Sequence, residues 1–218
     1  MAGSTLLPVY FVIDVSDSMG PYLPTLKREL VRLLRSTQVD PIIEAFTRIA
    51  IIAFADEAEI VMPLSRTSEA LPRDFASRGG TRYGPAIELL HTSIRSDLDS
   101  LRLSGFRIYR PLAFFITDGE PTDLDWVSAL DRLTREAYVP TIIALGIGDV
   151  SPSTVLTLAG ASGRAFLVSR AVSLNMALDV VFEGVAQTLV SSTTNSVDRK
   201  APHPIPIPEG WIALAGAE

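Results

Sequence analysis

The sequence predicts an α/β fold, a doubly wound, mostly parallel six-stranded sheet flanked by helices, with one antiparallel edge strand. Three observations lead there. Short apolar runs without polar alternation recur along the chain, as strands buried on both faces require. Between them the leucines and isoleucines step by three and four, as helices with one apolar face require. Aspartates stand at the ends of two apolar runs, Asp14 and Asp118, where a doubly wound sheet collects its ligands.

The elements follow in order. Residues 7–13 (LPVYFVI) form a first strand ending at Asp14. The Met19-Gly20-Pro21 stretch delays the next helix, whose inner face carries Leu26, Leu30, Leu33 and Leu34. Residues 48–55 (RIAIIAFA) form a second buried strand, and residues 57–64 (EAEIVMPL) return beside it as a hairpin around Asp56 at the sheet edge. Residues 65–83, rich in Ser, Arg, Pro and Gly, read as a loop. A helix starts near Gly84 with Ile87, Leu90, Ile94, Leu98 and Leu101 inward. Residues 109–116 (YRPLAFFI) form the central strand ending in Thr117-Asp118-Gly119. Asp123 is placed to cap the next helix, with Val127, Leu130 and Leu133 on its inner face. Residues 139–147 form another strand, and Ser151-Pro152 opens another helix. Residues 164–168 form a last short strand, and a final helix capped by Ser173 presents Leu178, Val181, Phe182, Val185 and Leu189.

The fold occupies residues 1–192, and residues 193–218 form a tail in which Pro202, Pro204, Pro206 and Pro208 alternate with other residues. Proline neither continues a helix nor donates to a ladder, so the tail reads as an extended arm. Two readings stay open for it. It is a solvated linker, or Ile205, Ile207, Trp211, Ile212 and Leu214 dock on this domain or on another copy.

Of the 218 residues 47% are apolar, enough for a sizeable core, and the formal net charge is −6. An acidic chain without a run of Lys and Arg has no electrostatic basis for binding nucleic acid or an anionic membrane. There is no cysteine, which excludes disulfides, thiolate metal sites and cysteine nucleophiles. The N-terminal stretch lacks the basic start of a secretion signal, and no later stretch has the length of a membrane span. A cytoplasmic protein is the expectation.

Three segments carry candidate chemistry. They are Asp14-Val15-Ser16-Asp17-Ser18 after the first strand, Gly79-Gly80-Thr81 before the second long helix, and Thr117-Asp118-Gly119 after the central strand. Carboxylates and hydroxyls are hard oxygen donors that suit Mg²⁺, Mn²⁺ or Ca²⁺ better than zinc. The plainer reading is that Ser16 and Ser18 cap the following helix and Asp118 caps a turn. Asp17 matches no ligand position and reads as solvent-facing.

The order Asp-x-Ser-x-Ser, distant Thr, then Asp resembles the metal-ion-dependent adhesion site of von Willebrand factor A domains, over residues 5–190. The resemblance implies metal ligands Asp14, Ser16, Ser18, Thr81 and Asp118. It implies Mg²⁺, with Mn²⁺ or Ca²⁺ as alternatives, and a coordination position left for a Glu or Asp of a partner protein. Gly79 and Gly80 are expected to let the Thr81 loop approach the metal. The stretches LPVYFVIDVSDSM, PLAFFITDGEPTD and GPAIELL look like the stand-alone bacterial A domains of the tellurium-resistance TerY type. That likeness implies an intracellular complex with a protein kinase and a 2C-type protein phosphatase. Some of those relatives carry a cysteine-rich zinc ribbon, which this chain lacks.

Rival readings are weaker. An Mg²⁺-dependent phosphotransferase or phosphatase would use Asp14 as nucleophile, but its general acid, two residues on, is here Ser16. No lysine stands near Thr117 or Asp118. A P-loop lacks its GxxxxGK[ST], and a serine hydrolase lacks GxSxG. His91 reads as an exposed surface residue and His203 as part of the tail. A scaffold subunit whose metal only staples loops would use the same ligands.

Overall fold

The computed structural model describes residues 5–39, 41–168 and 211–214. Strands β1 (Thr5–Asp14), β2 (Thr47–Phe54), β3 (Ala58–Ser65), β5 (Leu112–Thr117), β6 (Thr141–Gly146), β7 (Arg164–Val168) and β8 (Trp211–Leu214) lie in the order β3-β2-β1-β5-β6-β7-β8. A two-residue strand, β4 (Arg107–Ile108), pairs with the start of β1. The pairings between β1, β2, β5, β6 and β7 are parallel, and β3 is antiparallel to β2 at one edge, as expected. At the other edge β8, from the tail, runs antiparallel to β7. That pairing fits docking of residues 211–214 on this domain better than a solvated linker.

Helices α1 (Leu23–Val39), α3 (Tyr83–Leu103), α4 (Trp126–Thr134) and α5 (Pro152–Ala159) are joined by a short α2 (Pro41–Phe46) that no periodicity announces. β1 is buried on both faces because helices cover both. Its Val9, Phe11 and Ile13 pack on the side of α1, against Leu26, Leu30 and Leu33. Its Tyr10 and Val12 pack on the side of α3, α4 and α5. The second cluster is aromatic beneath the carboxyl ends of the strands. Tyr83 sits 5.8 Å from Phe54, 5.1 Å from Phe115 and 5.5 Å from Trp126, each edge-on, the arrangement aromatic quadrupoles prefer.

Several sequence expectations change. Val127 is 43% exposed, and Trp126, Ala129, Leu130 and Leu133 form the inner face of α4 instead. Asp123 does not cap α4, which begins after Asp125 without a side-chain cap. His91 is half-buried rather than exposed, with Nε2 3.1 Å from Glu136 Oε1 but not aligned as a hydrogen bond. The sequence has no basic run, yet one outward side of α1 gathers Lys27, Arg28, Arg32 and Arg35 around Val31. Asp74 and Glu29 offset part of that charge by pairing with Lys27 and with Arg28 and Arg32. The helix expected after Ser173, and His203, lie outside the described residues. Among the described residues no helix is long and apolar enough to cross a membrane.

Candidate metal centre

β2 lies on one side of β1 and β5 on the other, so the strand order reverses direction at β1. A crevice opens beyond the carboxyl ends of strands at such a switch point. Ile13 of β1 is in register with Ile116 of β5, and therefore Asp14 and Thr117 end their strands side by side.

Asp14 is fully buried. Its Oδ1 accepts the Ser16 backbone N–H at 2.8 Å, and its Oδ2 accepts the Thr117 hydroxyl at 2.6 Å. The chain then turns through a short 3₁₀ segment, Asp17–Met19, before α1. That turn brings Ser16 Oγ within 3.1 Å of Ser18 Oγ, while Ser18 Oγ donates to Asp118 Oδ1 at 2.8 Å. Four of the five expected residues thus form one hydrogen-bonded run from the buried Asp14 to the exposed Ser18 and half-buried Asp118. Asp17 faces solvent, as expected.

Thr81 approaches from the other side. A Cβ added to Gly119 would lie 3.3 Å from Thr81 Oγ1, which places that hydroxyl against the Asp118-Gly119 turn. Among the described residues no hydrogen bond joins Thr81 Oγ1 to the other four. Its loop is held by backbone: Asp17 N–H donates to Gly79 O at 3.1 Å, Arg78 N–H to Val15 O at 2.8 Å and Thr122 N–H to Thr81 O at 2.8 Å. Gly79 has φ +61°, and a Cβ there would overlap the Asp56 carboxylate, which accepts Gly80 N–H at 3.2 Å. Glycine is needed at 79 first for this left-handed backbone and then for the close packing on Asp56.

Three residues outside the expected set position this centre. Thr117 holds Asp14, and Tyr83 Oη donates to Gly119 O at 2.8 Å and lies 3.2 Å from Thr117 Oγ1. Asp123 reaches back to α3, accepting Tyr83 N–H at 2.8 Å and Gly84 N–H at 2.7 Å. It thereby satisfies two free donors of the α3 N-terminus, as a capping carboxylate does. The Thr81 loop and the loop after Asp118 are consequently tied together at Thr122 and Asp123. Thr117 lay within the third motif, so a clue was present. Asp123 was visible as a cap, but the sequence could not show which helix it serves.

The electrostatics leave a deficit. Burial pushes the Asp14 carboxyl above its usual range, against the opposing bonds from Ser16 and Thr117, and the nearby Asp118 charge adds to the rise. Burial likewise pushes Asp118 up, opposed by the Ser18 bond. Among the described residues no Lys or Arg pairs with either. Two such carboxylates near each other are relieved by protonation or by a cation. The donors are held together by hydrogen bonds whose lengths a small cation can also accept. Oxygens at about 2.1 Å from Mg²⁺ in an octahedron stand about 3.0 Å apart along its edges. The Ser16–Ser18 and Ser18–Asp118 spacings are 3.1 and 2.8 Å. Among the described residues no group of three His, Asp or Glu could hold a metal, so a cation here depends on hydroxyl donors.

The von Willebrand factor type A domain family matches the chain over residues 9–179. No curated protein matches it. Among solved structures, proximal thread matrix protein 1 from the mussel byssus is 14% identical with a TM-score of 0.59, covering 86% of this chain and 48% of that one. A von Willebrand factor type A protein from Catenulispora acidiphila is 18% identical with a TM-score of 0.58, covering 85% and 43%. The VWA domain of SpRpn10 is 14% identical with a TM-score of 0.50, covering 72% and 85%. At these identities the likeness is one of fold. The chain spans less than half the length of the first two proteins.

Proposed function

Because the chain belongs to the von Willebrand factor type A domain family, we propose that it is a metal-dependent protein-interaction module rather than an enzyme. Asp14, Ser16, Ser18, Thr81 and Asp118 are its proposed ligand set. The observation that carries this reading is the run of oxygen donors from Asp14 to Asp118, which contains two carboxylates without a basic partner among the described residues and has hydroxyl and carboxylate oxygens close enough to share one cation. Mg²⁺ is the proposed ion, with Mn²⁺ and Ca²⁺ as alternatives. When bound, the ion supplies an electrophilic position for an oxygen ligand from outside. The chain's own contribution is to orient: Thr117 and the Ser16 N–H hold Asp14, and the Thr122–Asp123 strap holds the Thr81 loop.

The proposed ligand from outside is a Glu or Asp of a partner protein. The likeness of the site motifs to TerY-type A domains supports placing the partnership in a cytoplasmic bacterial stress complex with a kinase and a 2C-type phosphatase. The phosphotransferase alternative is disfavoured. The residue two positions on, where such an enzyme needs its general acid, is Ser16.

Partner capture by the full chain tests the reading. Proteins retained in Mg²⁺ should be released by EDTA and should not be captured by Asp14→Ala, while that variant keeps its circular dichroism. Capture that survives both treatments contradicts it. Hydrolysis of a generic phosphate ester that needs Asp14 would favour the enzyme.

A further inference from the structure

On the α3 side of the sheet, α3 and the β2–β3 edge fail to close on each other. Leu89, Ser93 and Asp97 recur every fourth residue along one flank of α3, and all are half-buried. They face Ile52 of β2 and Ile60 and Leu64 of β3 across a half-open cavity of about 230 Å³. The sheet wall is apolar and the helix wall partly polar. Such a mismatch leaves apolar surface uncovered and polar groups short of partners.

Both shortfalls are present. Among the described residues the buried Ser93 Oγ has no hydrogen-bond partner, although a helical serine commonly bonds back to a carbonyl one turn earlier, as Thr92 does to Glu88 O at 3.0 Å. Asp97 Oδ2 accepts the Tyr10 hydroxyl at 3.0 Å. Among the described residues no Lys, Arg or His pairs with Asp97. Burial raises its carboxyl above the usual range, and only the Tyr10 bond opposes that. A carboxylate partly withdrawn from water without a counter-charge favours any cation that can reach it.

We propose that this cavity binds a small primary amine with an apolar body, its ammonium on Asp97 and its body against Ile60, Pro63 and Leu64. An ammonium donates three hydrogen bonds, and among the described residues no donor occupies Asp97 Oδ1. A neutral molecule of the same shape leaves the carboxylate uncompensated. An inorganic cation leaves the apolar wall bare. The size is suitable, since a cavity of about 150 Å³ holds benzene. The cavity therefore takes a ring with a two-carbon amine. Asp97 lies fourteen residues beyond Tyr83 on α3, about 20 Å along the helix, so this inference is independent of the metal centre.

The test is titration of the full chain, in EDTA, with 2-phenylethylamine and with its neutral counterpart 2-phenylethanol, followed by calorimetry and by amide NMR shifts. The amine should bind about tenfold or more tightly than the alcohol, the margin of a hydrogen bond to a charged group. Its shifts should centre on residues 89–97 and the β2–β3 edge. Asp97→Asn should remove the preference, Tyr10→Phe should keep it, and Leu64→Trp should block both ligands. Equal affinity for amine and alcohol in the natural protein, shifts centred elsewhere, or no binding by the amine would overturn the proposal whether or not the variants fold.

Discussion

Thr117→Val is the most informative single change at the metal centre. The side chain is 1% exposed, and valine nearly matches its volume, so the substitution removes a hydroxyl and little else. The hydroxyl donates to Asp14 Oδ2 at 2.6 Å and is the second contact of Tyr83 Oη, which keeps its bond to Gly119 O at 2.8 Å. The loss is therefore chiefly one charge-assisted bond to a buried carboxylate, about 1.5–3 kcal/mol. For a domain of this size each kcal/mol moves the melting temperature by about 2–4 °C, which gives a drop of about 3–12 °C in EDTA. Because Thr117 orients a proposed ligand without being one, Mg²⁺ affinity should fall about tenfold to hundredfold, the usual cost of removing an outer-shell partner. Thermal unfolding in EDTA reads the first quantity, and calorimetric titration with Mg²⁺ reads the second. A variant with natural stability and natural Mg²⁺ affinity would refute the role assigned to the Asp14–Thr117 bond.

The pH dependence due to Asp14 and Asp118 should change sign with metal. In EDTA, Asp14 and Asp118 are raised by burial, so the folded state holds protons that the unfolded chain has released. Stability from these two groups then falls as pH rises from the ordinary value of 3.8 through the raised folded values, and acidification from neutral pH recovers it. Burial raises Glu44 and Glu120, but hydroxyl and backbone bonds outweigh it and hold both below their ordinary 4.5, so their opposite effect begins only under that pH. Burial raises Asp97 too, and its contribution is the same with or without metal. In saturating Mg²⁺ the part of the slope due to Asp14 and Asp118 should therefore reverse, because protons compete with the ion for these carboxylates. Urea unfolding at several pH values above 4.5 checks both arms, and the EDTA slope should shrink in Asp14→Asn. Asp123→Ala should cost about 1–2 kcal/mol through loss of the α3 cap. Gly84→Ala should cost a similar amount, since its Cβ would lie 2.5 Å from Asp123 Oδ2. Both changes should weaken Mg²⁺ binding through the Thr81 loop, and chemical denaturation with metal titration reads the two effects separately.

The parts of the fold legible in the sequence are those fixed by one element's own periodicity. Leu26, Leu30, Leu33 and Leu34 are buried as their spacing requires, and β1 is buried from Leu6 to Asp14 because helices cover both faces. Asp14 and Asp118 were legible as neighbours because strand ends converge at a switch point. What stayed hidden depends on how elements meet. Asp123 stands at a plausible distance before α4, but the N-terminus it satisfies belongs to α3, forty residues earlier. Val127 fits the stripe of α4, yet Trp126 takes the inward place because its ring completes the cluster around Tyr83. The basic side of α1 is dispersed in sequence and assembled only by the helical turn. β8 sits in a proline-rich stretch that argues against strand, and its pairing depends on the free edge of β7.

A hard cation held between the Asp14–Ser18 turn, Thr81 and Asp118 is the centre of the proposed function. Anomalous diffraction from crystals grown with Mn²⁺, collected at the manganese edge, tests this most directly. One peak at coordinating distance from the Ser16 and Ser18 hydroxyls, beside the Thr81 hydroxyl and the Asp14 and Asp118 carboxylates, is the predicted result. A map with manganese bound only elsewhere, or with no peak near these side chains at saturating Mn²⁺, would contradict it.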